Sequence, residues 1–258
     1  MIQYLVKIPI FKRLIPSFGI RFLRFFKKNR GFFKIGEINF YLDFLDPIDR
    51  QIIINKNYEK DQVSFFRKKM EKTEFEYFLD IGSNSGYYSF YFGHLFKKLK
   101  IKAFEPNLEP YNKFLKTLNK NSFKNIEVFN FGLSNQEKKV HMRSLISHKY
   151  THSNSTIIEN LKKEVEKNIQ ISEANLKVGD QLFNFSNKKI CIKIDVEGHE
   201  IFTLKGLINN LLKNHCLMMI EIHDNKFNEV NKFLTDNKFM QIFKSKYRSD
   251  YIYTNFLV

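Results

Sequence analysis

Acidic residues are scarce in this 258-residue chain: 27 Asp and Glu stand against 43 Lys and Arg, a formal charge of +16. Such a balance favours acidic partners, whether nucleic acid, an anionic lipid surface or a sugar nucleotide. Lys, Asn, Ile and Phe recur along the whole length, so part of the charge is composition rather than a binding face. Cysteine is scarcer still. Cys191 and Cys216 each sit in an apolar run without Cys-x-x-Cys spacing, which argues against a zinc site and fits small core residues in a reducing compartment. No apolar run reaches the ~18 residues of a membrane-spanning helix, and Lys7, Pro9, Lys12 and Pro16 interrupt the N-terminal region. Neither a spanning helix nor a clean signal peptide is expected, and the expected location is the cytoplasm. Internal repeats and low-complexity segments are also lacking.

What is present is organised around Phe78-Leu79-Asp80-Ile81-Gly82-Ser83-Asn84-Ser85-Gly86. A short apolar run ends on an aspartate, two glycines follow, and an amphipathic segment begins at once. This reads as strand, tight loop, helix. Gly82 permits a sharp turn, and Gly86 removes a Cβ from the helix start, where a ligand is expected to lie. A dinucleotide fingerprint has its first glycine where Asp80 stands. A carboxylate there repels a pyrophosphate and attracts a cation, which suits the ammonium and sulfonium of S-adenosylmethionine better than NAD. A second strand, Ile101 to Glu105, also ends on an acid, about 20 residues beyond the glycines, the distance of a side chain that holds ribose hydroxyls.

Before this stretch, residues 1–35 alternate aromatics with bases, densest from Arg21 to Arg30. Two readings apply: an interfacial segment resting on an anionic membrane, or a helix docked on the domain with solvated lysines; contact with a second subunit is a third. Strands are expected from Glu37 to Leu45 and at Ile52-Ile53-Ile54, and a helix from Gln62 to Lys72. Beyond Glu105, strand and helix keep alternating, with Ile126 to Leu133 as the third strand. That rhythm implies a parallel sheet with helices on both faces. It breaks at Lys138 to Ser144, an additional strand, and at Leu145 to Asn160, a polar stretch with His148 and His152 that reads as a lid or a surface insertion. It resumes with strands at Lys189 to Asp195 and Cys216 to Glu221. The last two strands, Phe239 to Tyr247 and Tyr251 to Leu257, are joined too tightly to be parallel and should form an antiparallel edge hairpin. The expected fold is α/β: a doubly wound, mostly parallel seven-stranded sheet.

The words FLDIGSNSG, AFEPN, IKIDVEGHE and MIEIH, with Tyr58-Glu59 upstream, resemble the FkbM family of methyltransferases, within the class I S-adenosylmethionine-dependent fold. The likeness runs from about Tyr58 to His223. It implies a methyltransferase domain over residues 58–258 and an extension over residues 1–57 whose strands pack on it. It further implies S-adenosyl-L-methionine as cofactor, and a sugar or glycan-precursor hydroxyl as acceptor. Carried over by residue, Asp80, Gly82, Asn84 and Gly86 line the methionine part, Glu105 holds ribose, and Asp195 lies at the reacting end. Ser83 and Ser85 make this loop more polar than the family pattern. Glu59 and Pro106 flank the same elements, and Ser134 occupies a plausible adenine position.

Ligands of doubly wound sheets sit outside the carboxyl ends of the strands, so Asp80, Glu105, Asp195 and His223 should converge. A hydroxyl acceptor needs a base, and His199 and His223 are candidates because imidazole titrates near neutrality; each can equally be a structural residue at an element end. Asp195 joins them as a catalytic candidate. The cluster Asp195, Glu197, His199, Glu200, Glu221 and His223 could instead hold a divalent metal. Alternate strand residues face opposite ways, so convergence of all six is not favoured. Two rivals remain: a nucleic-acid methyltransferase, encouraged by the charge but lacking the proline-aromatic motif of base aminomethylases, and a scaffold at a membrane surface that keeps the fold without catalysis.

Overall fold

The computed structural model describes residues 29–56, 58–146, 151–158, 169–246 and 248–258. Residues 1–28, with most of the basic-aromatic stretch, lie outside the described residues, as does His148. The described chain opens with a hairpin of β1 (Arg30–Ile35) and β2 (Ile38–Asp43), then helices α1 (Pro47–Asn55) and α2 (Lys60–Lys72). Alternation follows: β3 (Tyr77–Ile81), α3 (Tyr87–Leu95), β4 (Lys100–Phe104), α4 (Leu108–Lys120), β5 (Ile126–Phe129). Next come β6 (Gly132–Ser134), β7 (Lys138–Ile146), β8 (Thr151–Ile158), β9 (Ile169–Val178) and the single turn α5 (Gly179–Leu182). The chain ends with β10 (Lys189–Ile194), α6 (Glu200–Gly206), α7 (Ile208–Leu212), β11 (His215–Glu221), α8 (Phe227–Asp236), β12 (Met240–Lys244) and β13 (Asp250–Thr254).

Seven strands form the central sheet in the order β12-β13-β11-β10-β3-β4-β5. Strands β11, β10, β3, β4 and β5 are parallel, and β13 is antiparallel to both its neighbours. The doubly wound sheet and its C-terminal hairpin are therefore as expected. The strands read as near-continuous apolar runs because both faces are covered. Phe78 and Cys191 point into one core with Phe66, Phe90 and Phe114, whereas Leu79, Ile81, Ile190 and Ile192 point into the other with Leu204, Leu211 and Leu234. Two residues in register break the pattern: Lys193, buried within β10, and Asp80, buried within β3.

Two local expectations need correction and a third holds. Ile52-Ile53-Ile54 is helical, within α1, despite its β-branched composition. Asp46 accepts hydrogen bonds from the backbone N–H of Ile48 (2.9 Å) and Asp49 (3.2 Å), and Pro47 occupies the first turn, so capping decides the conformation. The strand expected from Glu37 to Leu45 is present as β2, and the turn at Gly36 (φ +58) pairs it with β1, Phe32 opposite Tyr41. Ile126 to Leu133 is two strands: β5 ends at Phe129, and β6 leaves the central sheet to run parallel to β9.

The expected lid is instead mostly a second sheet, ordered β6-β9-β7-β8. Its period-two pattern buries Val140, Met142, Ala174 and Leu176 in a small core of their own. Among the described residues, no helix is long and apolar enough to cross a membrane.

Candidate functional site

Strand order reverses between β3 and β10, so the loops that follow them diverge and leave an opening at the sheet's carboxyl end. The two loops touch. The backbone N–H of Asp195 donates to Ile81 (3.0 Å), and a Cβ at Gly82 (φ +77) would stand 1.8 Å from the Asp195 carbonyl oxygen. At Gly86 (φ +87) a Cβ would stand 2.5 Å from the Phe114 ring. The expected reason for Gly86 is thus corrected: its missing side chain admits a core phenylalanine, not a ligand.

A cavity of about 260 Å³ occupies the opening, with Gly82, Ser83, Asn84, Ser85, Glu105, Pro106 and Asp195 in its wall. Glu105 is buried, and its two oxygens accept the backbone N–H groups of Asn84 and Asn107, each at 2.8 Å. This binds the glycine loop to the end of β4. Burial pushes the Glu105 carboxyl up to about 7, against the opposing pull of the two N–H donors. Ser83 Oγ is buried with no hydrogen-bond partner among the described residues, an orphaned polar atom on a cavity wall.

Several expected residues stand behind the wall rather than on it. Asp80 is fully buried, where its Oδ2 accepts from the N–H (3.1 Å) and Oγ (2.6 Å) of Ser89 and so ties β3 to the start of α3. Burial raises its pKa, with Lys193 opposing. Glu59, held at φ +49, accepts from Tyr88 and from Arg248 Nη1 (2.6 Å). Ser134 gives its hydroxyl to a contact with His199 Nε2 at 2.9 Å. What occupies the expected adenine side is apolar: Leu133, Met142, Ile157 and Leu176, beside Pro106.

At the opposite end Asp195, Glu197, His199 and Glu221 line the cavity with Lys193, Tyr58, Tyr88 and Arg248. Lys193 donates to Asp195 Oδ2 (2.7 Å) and lies 4.8 Å from the centre of the Tyr88 ring. Its pKa is raised because Asp195, Glu59 and Asp80 outweigh the cost of burial. His199 is pushed down to about 4 by burial and by Lys138, and is a neutral imidazole at pH 7. His223 does not line the cavity. It is half exposed and 3.6 Å from Glu197. Glu221 is pushed up to about 8 by burial, then by Asp195 and Asp250, and no hydrogen bond to its carboxyl is present among the described residues. Glu200 turns away to accept from the Gly198 N–H at 2.7 Å. The six-residue cluster therefore does not converge, and among the described residues no group of three or more His, Cys, Asp or Glu is placed to hold a metal ion.

Four contributors escaped the sequence reading. Lys193 had a signal, a charge at an inward position of an apolar strand. Arg248 had none, since it arrives from the turn between β12 and β13. Helix α1 was placed in the N-terminal extension, yet Ile48, Gln51 and Ile52 line the cavity. Of the second sheet, β7 reads in the sequence as an additional strand and Leu145 to Asn160 as a lid or insertion, yet the sheet supplies Met142, Ile157 and Leu176 to the apolar side.

A family model described as the methyltransferase FkbM domain matches residues 80–241. No curated protein matches the sequence. Among solved structures, a precorrin-6y C5,15-methyltransferase from Geobacter metallireducens is 13% identical, with a TM-score of 0.45 over 77% of this chain and 88% of that one. An rRNA methylase from Streptococcus thermophilus is 14% identical, with a TM-score of 0.42 over 75% and 92%. TYW2 of M. jannaschii, solved with AdoMet, is 10% identical, with a TM-score of 0.41 over 88% and 84%.

Proposed function

The chain belongs to the FkbM methyltransferase domain family, and from that premise we propose that it transfers the methyl group of S-adenosylmethionine to a hydroxyl oxygen of a sugar or glycan precursor. The observation that carries this reading is the carboxylate-lined cavity at the ends of β3, β4, β10 and β11, in a molecule of formal charge +16. Four acids, Glu105, Asp195, Glu197 and Glu221, line it against Lys193 and Arg248. That lining suits a ligand bearing an ammonium and a sulfonium, and it opposes a phosphate brought to the reacting end.

The residues fit such a cofactor. Each Glu105 oxygen keeps a lone pair beyond its backbone N–H, available to a ribose hydroxyl. The orphaned Ser83 hydroxyl gains a partner in a polar ligand, and the wall of Pro106, Leu133, Met142, Ile157 and Leu176 offers adenine an apolar slot. S-adenosylmethionine supplies the methyl group as a cationic electrophile and leaves as S-adenosylhomocysteine.

The protein's part is to position the acceptor and to take its proton. Asp195 is engaged by Lys193, Glu197 faces His223, and Glu105 holds two backbone amides. Glu221 is the cavity carboxyl with its lone pairs uncommitted to hydrogen bonds, and its raised pKa puts it close to the working pH that favours a general base. It is assigned that role here; His199, held by Ser134, orients the loop after β10. Lys193 and Asp195 together fix the floor on which the hydroxyl approaches.

Calorimetric titration with S-adenosylhomocysteine tests the cofactor. Binding that Glu105→Ala weakens at least about tenfold supports it, and no binding to a folded wild-type chain overturns it. Neutral hexoses and their phosphates, offered in turn with radiolabelled methyl donor, then test the acceptor class, with label expected on the neutral ones.

A further inference from the structure

We infer that the outer face of the β1–β2 hairpin, together with the exposed side of α4, is a docking surface for an anionic lipid bilayer. This inference does not depend on the methyl-transfer reading. Alternation along β1 turns Ile35 into the core and leaves Arg30, Phe32 and Lys34 outside. Phe32 is 48% exposed and meets Tyr41 of β2 edge-on, with ring centres 5.2 Å apart. From α4, Lys116 stands 4.3 Å over the Tyr41 ring and Lys120 5.5 Å over the Phe32 ring. The surface is therefore an apolar centre under a canopy of ammonium groups.

Three acids border it. Arg30 donates to Asp43 Oδ2 through Nε (2.7 Å) and to Glu109 through Nη2 (2.5 Å), and Glu37 lies 3.9 Å from Lys34. Lys116 and Lys120 carry no ion pair with a described acid, so their charge is available to a partner.

The chain that enters this face at Asn29 says which partner. Residues 1–36 contain nine Lys and Arg, eight aromatics and no Asp or Glu; the first acid is Glu37. Seven of the eight aromatics are Phe, interspersed with Ile and Leu. Bases alone would serve any polyanion, but so much hydrocarbon beside them is matched by the headgroup and acyl boundary of a membrane, which takes up both. A nucleic acid offers phosphate and flat bases, and nowhere to bury isoleucine.

The test is co-sedimentation of the full chain with vesicles of phosphatidylcholine alone and of phosphatidylcholine with phosphatidylglycerol at seven to three. Binding is expected to the anionic vesicles only and to weaken as salt is raised. Lys116→Glu with Lys120→Glu should lower partitioning on the order of 25-fold or more at low salt, at about fivefold for each lysine lost. Phe32→Ser should lower it further, while S-adenosylhomocysteine binding and thermal stability stay at wild-type levels. Equal binding to both vesicle types overturns the proposal, and so does wild-type partitioning by the double variant. Tighter binding to single-stranded oligonucleotide than to the anionic vesicles overturns it in favour of a nucleic-acid surface.

Discussion

Glu221 and His199 line the same cavity but differ in what already holds them. The Ser134 hydroxyl contacts the His199 Nε2, whereas the Glu221 carboxyl has no such bond. Glu221→Gln should therefore reduce kcat by about 10²- to 10⁴-fold and leave the Kd for S-adenosylhomocysteine unchanged; steady-state release of the product and calorimetry separate the two effects. His199→Gln should cost far less. Glu105 sets a pH dependence. Its carboxyl, raised to about 7, must be ionised to accept ribose hydroxyls, so affinity for S-adenosylhomocysteine should fall as pH drops through 7, and binding near pH 7 should release a proton. Calorimetry in buffers of different ionisation heat measures that proton directly. Asp80, Glu105 and Asp195 were visible in the sequence because an acid at a strand end, beside glycines, is a local pattern. Glu221 was visible only as one of a cluster. Its distinction is that no described residue hydrogen-bonds its carboxyl, which no linear spacing records.

At the scale of elements, α1 is the part whose importance was hidden. Asp49 in its first turn is fully buried, and its Oδ1 accepts from the Ser85 hydroxyl (3.1 Å) in the glycine loop. Its Oδ2 accepts from the Asp43 N–H (2.9 Å) and from Lys113 Nζ (2.7 Å). The hairpin, α1, α4 and the glycine loop thus meet at one carboxylate. Asp49→Asn removes the 2.7 Å ion pair and leaves Lys113, among the described residues, an ion pair with Asp46 alone at 3.5 Å, and should cost about 3 kcal/mol in urea unfolding. Adding Lys113→Met should restore most of that stability without restoring affinity for S-adenosylhomocysteine. Recovery of affinity together with stability would show that Asp49 serves the fold alone. The helix was missed because three consecutive isoleucines outweigh capping signals in any composition-based reading. Of the second sheet β7 is legible as a strand, but β8 and β9 are not, because the sheet is polar and carries only a small core, Val140, Met142, Ala174 and Leu176. The parallel strands had no such ambiguity, being buried on both faces.

For the molecule as a whole, the cavity stores like charge. Glu105 and Glu221 are raised to about 7 and about 8, so above pH 6.5 the folded chain holds protons that the unfolded chain has released. Stability must then decline as pH rises from 6.5 to 8, and a thermal melt of the free protein should show a falling Tm over that range. Below pH 6.5 the trend is opposed by His199, whose folded-state value near 4 makes acidification costly. S-adenosylhomocysteine should flatten the decline, because its hydroxyls favour the ionised Glu105.

The placement of β13 also governs when this protein becomes competent. It lies inside the sheet, between β11 and β12, though it follows both of them in sequence. The turn before it brings Arg248 to Glu59, and its first residue, Asp250, accepts from Gln62 at 2.7 Å. The sheet therefore closes, and the cavity acquires its Arg248 wall, only after β13 has been inserted between two strands that precede it. A chain interrupted before Arg248 is left with an open edge at β11 and without the Arg248 wall, and such an unpaired strand is a template for pairing with another chain.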